Sequence, residues 1–186
     1  MILPIYAYGE PVLRQEGKEI SADYPKLKEL IANMFETMYS SHGVGLAAQQ
    51  IGLPIRLFVV DGTPFAEEDP QLDGFKRVFI NAYIVDEEGD EWEFEEGCLS
   101  IPTIREKVKR HGTITLEYMD ENFQLKEEKF NGLAARIIQH EHDHTDGVLF
   151  VDHINQFRRS LLAKKLNDIS RGKVDADYRM RFPKKR

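Results

Sequence analysis

The sequence predicts an α+β fold, with antiparallel β-sheets packed around a central helix and further helices toward each end of the chain. Three observations carry this reading. Two short windows repeat apolar residues at three- and four-residue spacing, as amphipathic helices do. Between them runs a long stretch of strand-like segments separated by turn residues. Nowhere do strand and helix alternate regularly, as a parallel doubly wound sheet requires. At 186 residues the chain suits one domain with a proper core.

Taken in order, Gly9-Glu10-Pro11-Val12-Leu13-Arg14 reads as a turn into an extended piece. From Pro25 to Ser40, Leu27, Leu30, Ile31, Met34, Phe35 and Met38 mark the first helix, with Ser21 and Asp23 as candidate caps. Gly43–Gln50 is a small-residue loop leading to a strand at Ile55–Val60. Gly62–Lys76 mixes Pro, Gly and acidic residues and is expected to be an exposed loop. Arg77–Val85 and Trp92–Phe94 read as strands, with a turn at Glu87-Glu88-Gly89-Asp90 between them. Thr113–Tyr118 and Lys126–Phe130 add two more strands. Leu133–His144, set between Gly132 and Gly147, is the central helix. A C-terminal helix is expected from Ile154 to Ser170, carrying Phe157, Leu161, Leu162 and Leu166. Residues 1–170 then form a single domain that includes this helix, and 171–186 a basic, flexible tail.

Composition narrows the function classes. The net charge of -7 and pI near 5.4 carry no polyanion-binding footprint for the whole molecule, so specific DNA binding is not expected. The charge is uneven. Residues 156–186 hold eleven Lys and Arg against three Asp, a net +8, which leaves -15 on residues 1–155. The lone cysteine, Cys98, rules out an intrachain disulfide and suits a reducing compartment. No apolar run approaches a bilayer's width, so the chain reads as cytoplasmic, with no membrane partner.

The chemistry concentrates in Gln139-His140-Glu141-His142-Asp143-His144-Thr145-Asp146-Gly147. His140 and His144 lie about one helical turn apart, so both imidazoles project from one face and can bind one divalent ion at roughly 2 Å each. Glu141, beside the first ligand, can reach a water on the ion rather than the ion itself. His142 points about 200° away from His140 and reads as solvent-facing or supporting rather than ligating. Leu133 and Ile137 share the histidine stripe, so the pair abuts an apolar surface.

A catalytic site of this type needs a third protein ligand. No glutamate follows His144, which excludes a downstream Glu ligand, and the position where a His-x-x-Gly-x-x-His pattern would place its last histidine is Phe150. Asp152 and His153 remain as downstream candidates. Upstream, Cys98 lies in Glu95-Glu96-Gly97-Cys98-Leu99-Ser100-Ile101-Pro102, a turn flanked by Gly and Pro. Metal ligation is the better reading of it there than burial as a small hydrophobe.

Gly43–Gln50, Glu96–Ser100 and Gln139–Gly147, with the opening Gly9–Arg14 segment, together resemble the peptide deformylase family over about residues 4–152. The resemblance implies a metal-dependent hydrolase that removes the N-formyl group from the initiator methionine of nascent polypeptides. It implies Cys98, His140 and His144 as metal ligands and Glu141 as general base and acid. Gln50, through its side-chain amide, and Leu99, through its backbone N–H, are implied to hold the oxygen of the tetrahedral intermediate. Fe²⁺ is the metal expected in the cell, with Zn²⁺, Ni²⁺ or Co²⁺ as substitutes.

The substrate pocket is expected to involve Val44, Gly45, Phe94, Glu96, Gly97, Leu133 and Ile137, with Arg105 toward the peptide's far end. The +8 segment resembles the C-terminal helix that family members dock on the ribosome. Thr145, where the family usually has Leu, and His142, at its variable position, depart from the pattern without touching a ligand. Two other classes stand beside this reading: a metallopeptidase with Asp152 or His153 as third ligand, and a non-catalytic metal-binding homologue.

Overall fold

The computed structural model describes residues 1–184. Its strands are β1 (Ile5–Tyr6), β2 (Gly45–Ala47), β3 (Leu57–Asp61), β4 (Lys76–Cys98), β5 (Ile101–Met119), β6 (Leu125–Asn131) and β7 (Met180–Arg181). Its helices are α1 (Leu27–Ser40), α2 (Gly132–Thr145) and α3 (Gln156–Ser170). Strands β2 to β6 form one antiparallel sheet in sequence order, while β1 and β7 form a separate parallel pair.

The apolar run of β3 explains the layering. Leu57, Phe58, Val59 and Val60 are all fully buried, and alternate side chains face opposite sides of a strand. Leu57 and Val59 therefore enter one core with Ile31, Met34 and Met38 of α1. Phe58 and Val60 enter a second core with Ala134, Ala135 and Ile138 of α2. A third core joins Ile104 and Val108 of β5 to Phe150 and to Leu162, Leu166 and Ile169 of α3. The site lies where these layers meet.

Several boundaries depart from the sequence reading. Strand β4 runs without a turn through Glu87-Glu88-Gly89-Asp90 and stays paired with β5, Glu88 opposite Thr113 and Glu91 opposite His111. The positive φ of Gly89, 75°, sits at an irregularity of register between those pairs rather than at a hairpin tip. The segment 62–76 is more than a surface loop: Leu72 is fully buried, and Phe65 and Phe75 pack against the second core. Ser21 and Asp23 do not cap α1. They hydrogen-bond each other, and the helix starts later, behind Lys26 in the left-handed region. In α3, Asn155 caps the first turn, accepting the Arg158 N–H at 2.8 Å. Phe157 and Leu161 stay 71% and 58% exposed, off the buried stripe.

The C-terminal segment also differs from a free tail. The Arg179 carbonyl accepts from Ile5 N–H and the Arg181 carbonyl from Ala7 N–H, each at 2.8 Å. Val174, Tyr178, Met180 and Phe182, spaced two or four residues apart, pack against the first and third cores, which is what seats the strap. The last two residues of the expected tail, 185 and 186, lie outside the described residues.

Candidate metal centre

Helix α2 is buried on nearly all its faces, and His144 and Glu141 are only 1% and 5% exposed. The His140 and His144 rings lie 5.2 Å apart, as the one-turn spacing predicts. The other half of the site comes from the turn between β4 and β5. Cys98 is the last residue of β4, and its Sγ stands 3.3 Å from His144 Nε2. One ligand atom from each of Cys98, His140 and His144 can be chosen so that all lie within 4.8 Å of one another. Among the described residues this is the one such group found, and neither Asp152 nor His153 belongs to it. Asp152 is held by Arg14 and accepts the Leu149 N–H, while His153 Nε2 lies 2.7 Å from Asp143.

The donor set fits a divalent ion of the zinc or iron type. It offers one sulfur and two imidazole nitrogens, the three-ligand arrangement that leaves a position open. His140 Nδ1 is engaged by Glu96 Oε2 at 2.9 Å, which orients the ring and leaves Nε2 for the ion. Burial first, then the nearby His140 charge, pushes the His144 pKa down to about 3, so its imidazole is neutral, as a ligand must be. Burial opposes charge on His140 as well, but contacts with Cys98 and Glu96 outweigh it and hold its pKa well above the ordinary histidine value, so an ion taking Nε2 would have to displace a proton there.

Glu141 is placed for proton transfer. Its Oε2 is buried without a partner among the described residues, and burial pushes its pKa up to about 7 despite His140 beside it. Gly45 makes room for this side chain: a Cβ at position 45 would lie 2.7 Å from Glu141 Cγ. Gln50 is pinned by its own carbonyl oxygen, which accepts the Ala47 N–H at 2.9 Å. Its Nε2 is thereby aimed at Cys98 Sγ, 3.4 Å away, and at Ser100 Oγ, 3.3 Å away.

A cavity of about 400 Å³ opens beside these groups, and Val44, Gly45, Phe94, Gly97, Arg105 and Ile137 all line it. Leu133 does not. One further turn back along α2, it packs against the second core. Arg105 stands at the rim, 60% exposed and 2.9 Å from Glu95. Glu96 lines the cavity too, and it is also a clamp. Only 6% exposed, it takes Arg110 at 2.7 and 3.0 Å and Arg136 at 3.0 Å in addition to His140. Burial opposes its charge, but His140 and Arg110 outweigh that and hold the carboxyl far below the usual carboxylate range.

Arg110 continues the chain to Asp143 at 2.8 Å, and Arg136 lies over the Trp92 ring at 4.5 Å. The sequence reading missed Arg110 and Arg136. A signal existed for the first: Ile104, Glu106, Val108 and Arg110 are the inward positions of one alternating strand. His142 is buried rather than solvent-facing, 3.4 Å from Arg56 and 3.6 Å from Asp146. Thr145 is buried, its hydroxyl donating to the His142 carbonyl at 2.6 Å.

The polypeptide deformylase family profile matches residues 2–160. A peptide deformylase of Flavobacterium johnsoniae is 59% identical over 189 aligned residues, covering 98% of this chain and 96% of the relative. The crystal structure of a peptide deformylase from Legionella pneumophila superposes with a TM-score of 0.79 at 36% identity, covering 93% of this chain and 98% of that one. A Met-Ala-Ser-bound structure of the class I type b enzyme from Acinetobacter baumannii gives 0.75 at 32% identity, covering 83% and 99%.

Proposed function

The chain belongs to the polypeptide deformylase family and removes the N-formyl group from nascent polypeptides, and we propose that it does so with Cys98, His140 and His144 holding one divalent metal ion. The observation that carries this assignment is Cys98 Sγ facing the two imidazoles beside an unpartnered Glu141 oxygen. When bound, such an ion supplies Lewis acidity, which acidifies water and polarises a carbonyl.

The chain's own residues do the rest. Val44, Phe94 and Ile137 receive the methionine side chain, excluding water from the formyl group. Gln50 Nε2 and the Leu99 N–H donate to the formyl oxygen as charge develops on it. Glu141 takes one proton from the attacking water while the remaining hydroxyl bonds to the formyl carbon. The same carboxyl then gives that proton to the nitrogen as the C–N bond breaks, releasing formate and a free amine.

Formate release from formyl-Met-Ala-Ser, with metal analysis on the same sample, tests the ligand set. Cys98→Ala should lose both metal and activity. A Cys98→Ala protein with its full metal complement would overturn the assignment and revive a different third ligand.

The thiolate and two imidazoles suit Fe²⁺ as the resident ion, with Zn²⁺, Ni²⁺ or Co²⁺ able to replace it. Iron held beside a thiolate is prone to oxidation, so the Fe²⁺ form should lose activity in air while the Ni²⁺ form keeps it. Equal lifetimes in air would count against iron. A lone ligating thiol would stay reduced in a cytoplasm, which supports a cytoplasmic location.

Helix α3 is the surface proposed to meet the ribosome: the exposed Phe157 and Leu161 share it with Lys164 and Lys165. Because α3 also buries Leu162, Leu166 and Ile169, truncation would open the third core. Charge reversal is the cleaner test. Lys164→Glu with Lys165→Glu should abolish co-sedimentation with ribosomes at low salt, and unchanged sedimentation would remove α3 from that role.

A further inference from the structure

Residues beyond 160 lie outside the segment matched by the family profile, yet one of them reaches the site. We propose that Tyr178 is a positioning residue for deformylation: its hydroxyl fixes the Leu99 carbonyl and so aims the Leu99 N–H at the formyl oxygen. The proposal rests on the reading of Leu99 given above.

Cys98 pairs with Ile101, so Leu99 and Ser100 are the two-residue loop of the β4–β5 hairpin, and a register shift precedes that last pair. Leu99 and Ser100 are also held from outside, through both of their carbonyls. The Leu99 carbonyl accepts from the Tyr178 hydroxyl at 2.8 Å, across 79 residues of sequence. The Ser100 carbonyl accepts from the Tyr8 N–H at 2.8 Å, and Ser100 Oγ takes Gln50 Nε2 at 3.3 Å. Tyr8 follows β1 and Tyr178 precedes β7, so both carbonyls hang from the same small parallel pair.

The N–H and C=O of Leu99 flank a single Cα. With Cys98 fixed at the end of a strand, holding the carbonyl sets the residue's orientation and hence the direction of its N–H. A donor that must meet a developing charge gains most from being set in advance, because reorientation during the reaction is then avoided.

Tyr178 is itself well seated. It lies just before β7, and it and Met180, two residues on, both pack against the first core. The strap is closed by Arg181, whose Nη1 donates to the Tyr6 hydroxyl at 2.9 Å and whose guanidinium lies 4.9 Å from the Tyr6 ring centre. Removing the Tyr178 hydroxyl alone therefore leaves the packing in place while releasing the Leu99 carbonyl.

The experiment compares the full-length, metal-loaded enzyme with Tyr178→Phe and Gln50→Ala. Tyr178→Phe should lower kcat on formyl-Met-Ala-Ser by roughly 5- to 20-fold. KM, affinity for the product Met-Ala-Ser and metal content should stay within about twofold, since none of them needs the oxygen-facing donor to be aligned. Amide hydrogen exchange at Leu99 should accelerate selectively.

A kcat within about twofold of the parent would overturn the proposal, as would a loss of metal in step with activity, the mark of a merely structural clasp. Gln50→Ala reports on the underlying reading. If it lowers kcat while Tyr178→Phe does not, only the role of Tyr178 falls. If it leaves kcat unchanged, the oxygen-holding reading fails and takes the proposal with it.

Discussion

The two halves of the metal centre are built on different principles. In α2, His140, Glu141 and His144 owe their relative placement to helical geometry alone, fixed within five residues of sequence. In the turn after β4, Cys98, Leu99 and Ser100 are held by partners 46 to 79 residues away: Gln50, Tyr178 and, for the thiol, His144. The helical half is set by local geometry, and the turn half by a hairpin loop on which distant elements also converge. Damage to the first should therefore act on chemistry at a fixed geometry, and damage to the second on the geometry itself.

The sharpest expression of that contrast is Glu141→Gln. It preserves shape and leaves all three proposed metal ligands in place, so metal content should be unchanged while kcat falls on the order of 10²- to 10⁴-fold. Metal loss in this variant would break the comparison, because the helical half would then not hold its ligands independently of its acid–base group. Gly45→Ala comes next. It alters neither half directly, but its Cβ would stand 2.7 Å from Glu141 Cγ and displace the carboxyl. A drop of about 10²-fold in kcat with metal retained is expected, since displacements near 1 Å can have that effect.

Glu96 joins the two halves, receiving Arg110 from β5 and His140 and Arg136 from α2. Glu96→Gln keeps the size of the side chain but removes the charge that holds His140. Metal affinity should weaken about 10- to 100-fold, read by competition with a chelator. Unchanged affinity would mean that α2 orients His140 without help from the hairpin side.

The same contrast explains what could be read from the sequence. The helix motif and α1 were legible because their signals are local: four-residue spacing for His140 and His144, and the stripe from Leu27 to Met38. The long hairpin was not, because Glu87-Glu88-Gly89-Asp90 has a turn's composition and its glycine serves a bulge instead. Cys98 entered as a ligand by elimination and by resemblance, not by any spacing to its partners.

Arg56, Arg110 and Arg136 escaped notice because isolated arginines usually read as solvated surface, yet their side chains are 2 to 4% exposed here. Each is paired: Arg56 with Asp146, the other two with Glu96. The strap was illegible for the plainest reason. Ile5 opposite Met180 is a pairing across nearly the whole chain, and no local pattern announces it.

The smallest predicted effect concerns how the end of α2 is tied to the rest of the protein. Asp152 receives Arg14 Nη2 at 3.2 Å and the Leu149 N–H at 2.8 Å, and Arg14 also donates to the Gly147 carbonyl at 3.3 Å. Burial opposes its charge, but Arg14 and the Leu149 N–H outweigh that and hold the carboxyl below the usual carboxylate range. A carboxylate whose pKa is lowered by folding contributes stability that is fully present above its unfolded pKa. That contribution is lost as pH falls through the folded value. Asp152→Asn removes the titrating group, so the variant should melt lower than the parent at about pH 6 and the gap should narrow by about pH 3. Formate release at neutral pH should hardly change, because the clamp lies beyond the last ligand and α2 keeps His140 and His144 in register by itself. A gap that stays constant across that range would show that Arg14 and Asp152 contribute through shape alone, and an activity loss would show that even the helical half depends on distant support.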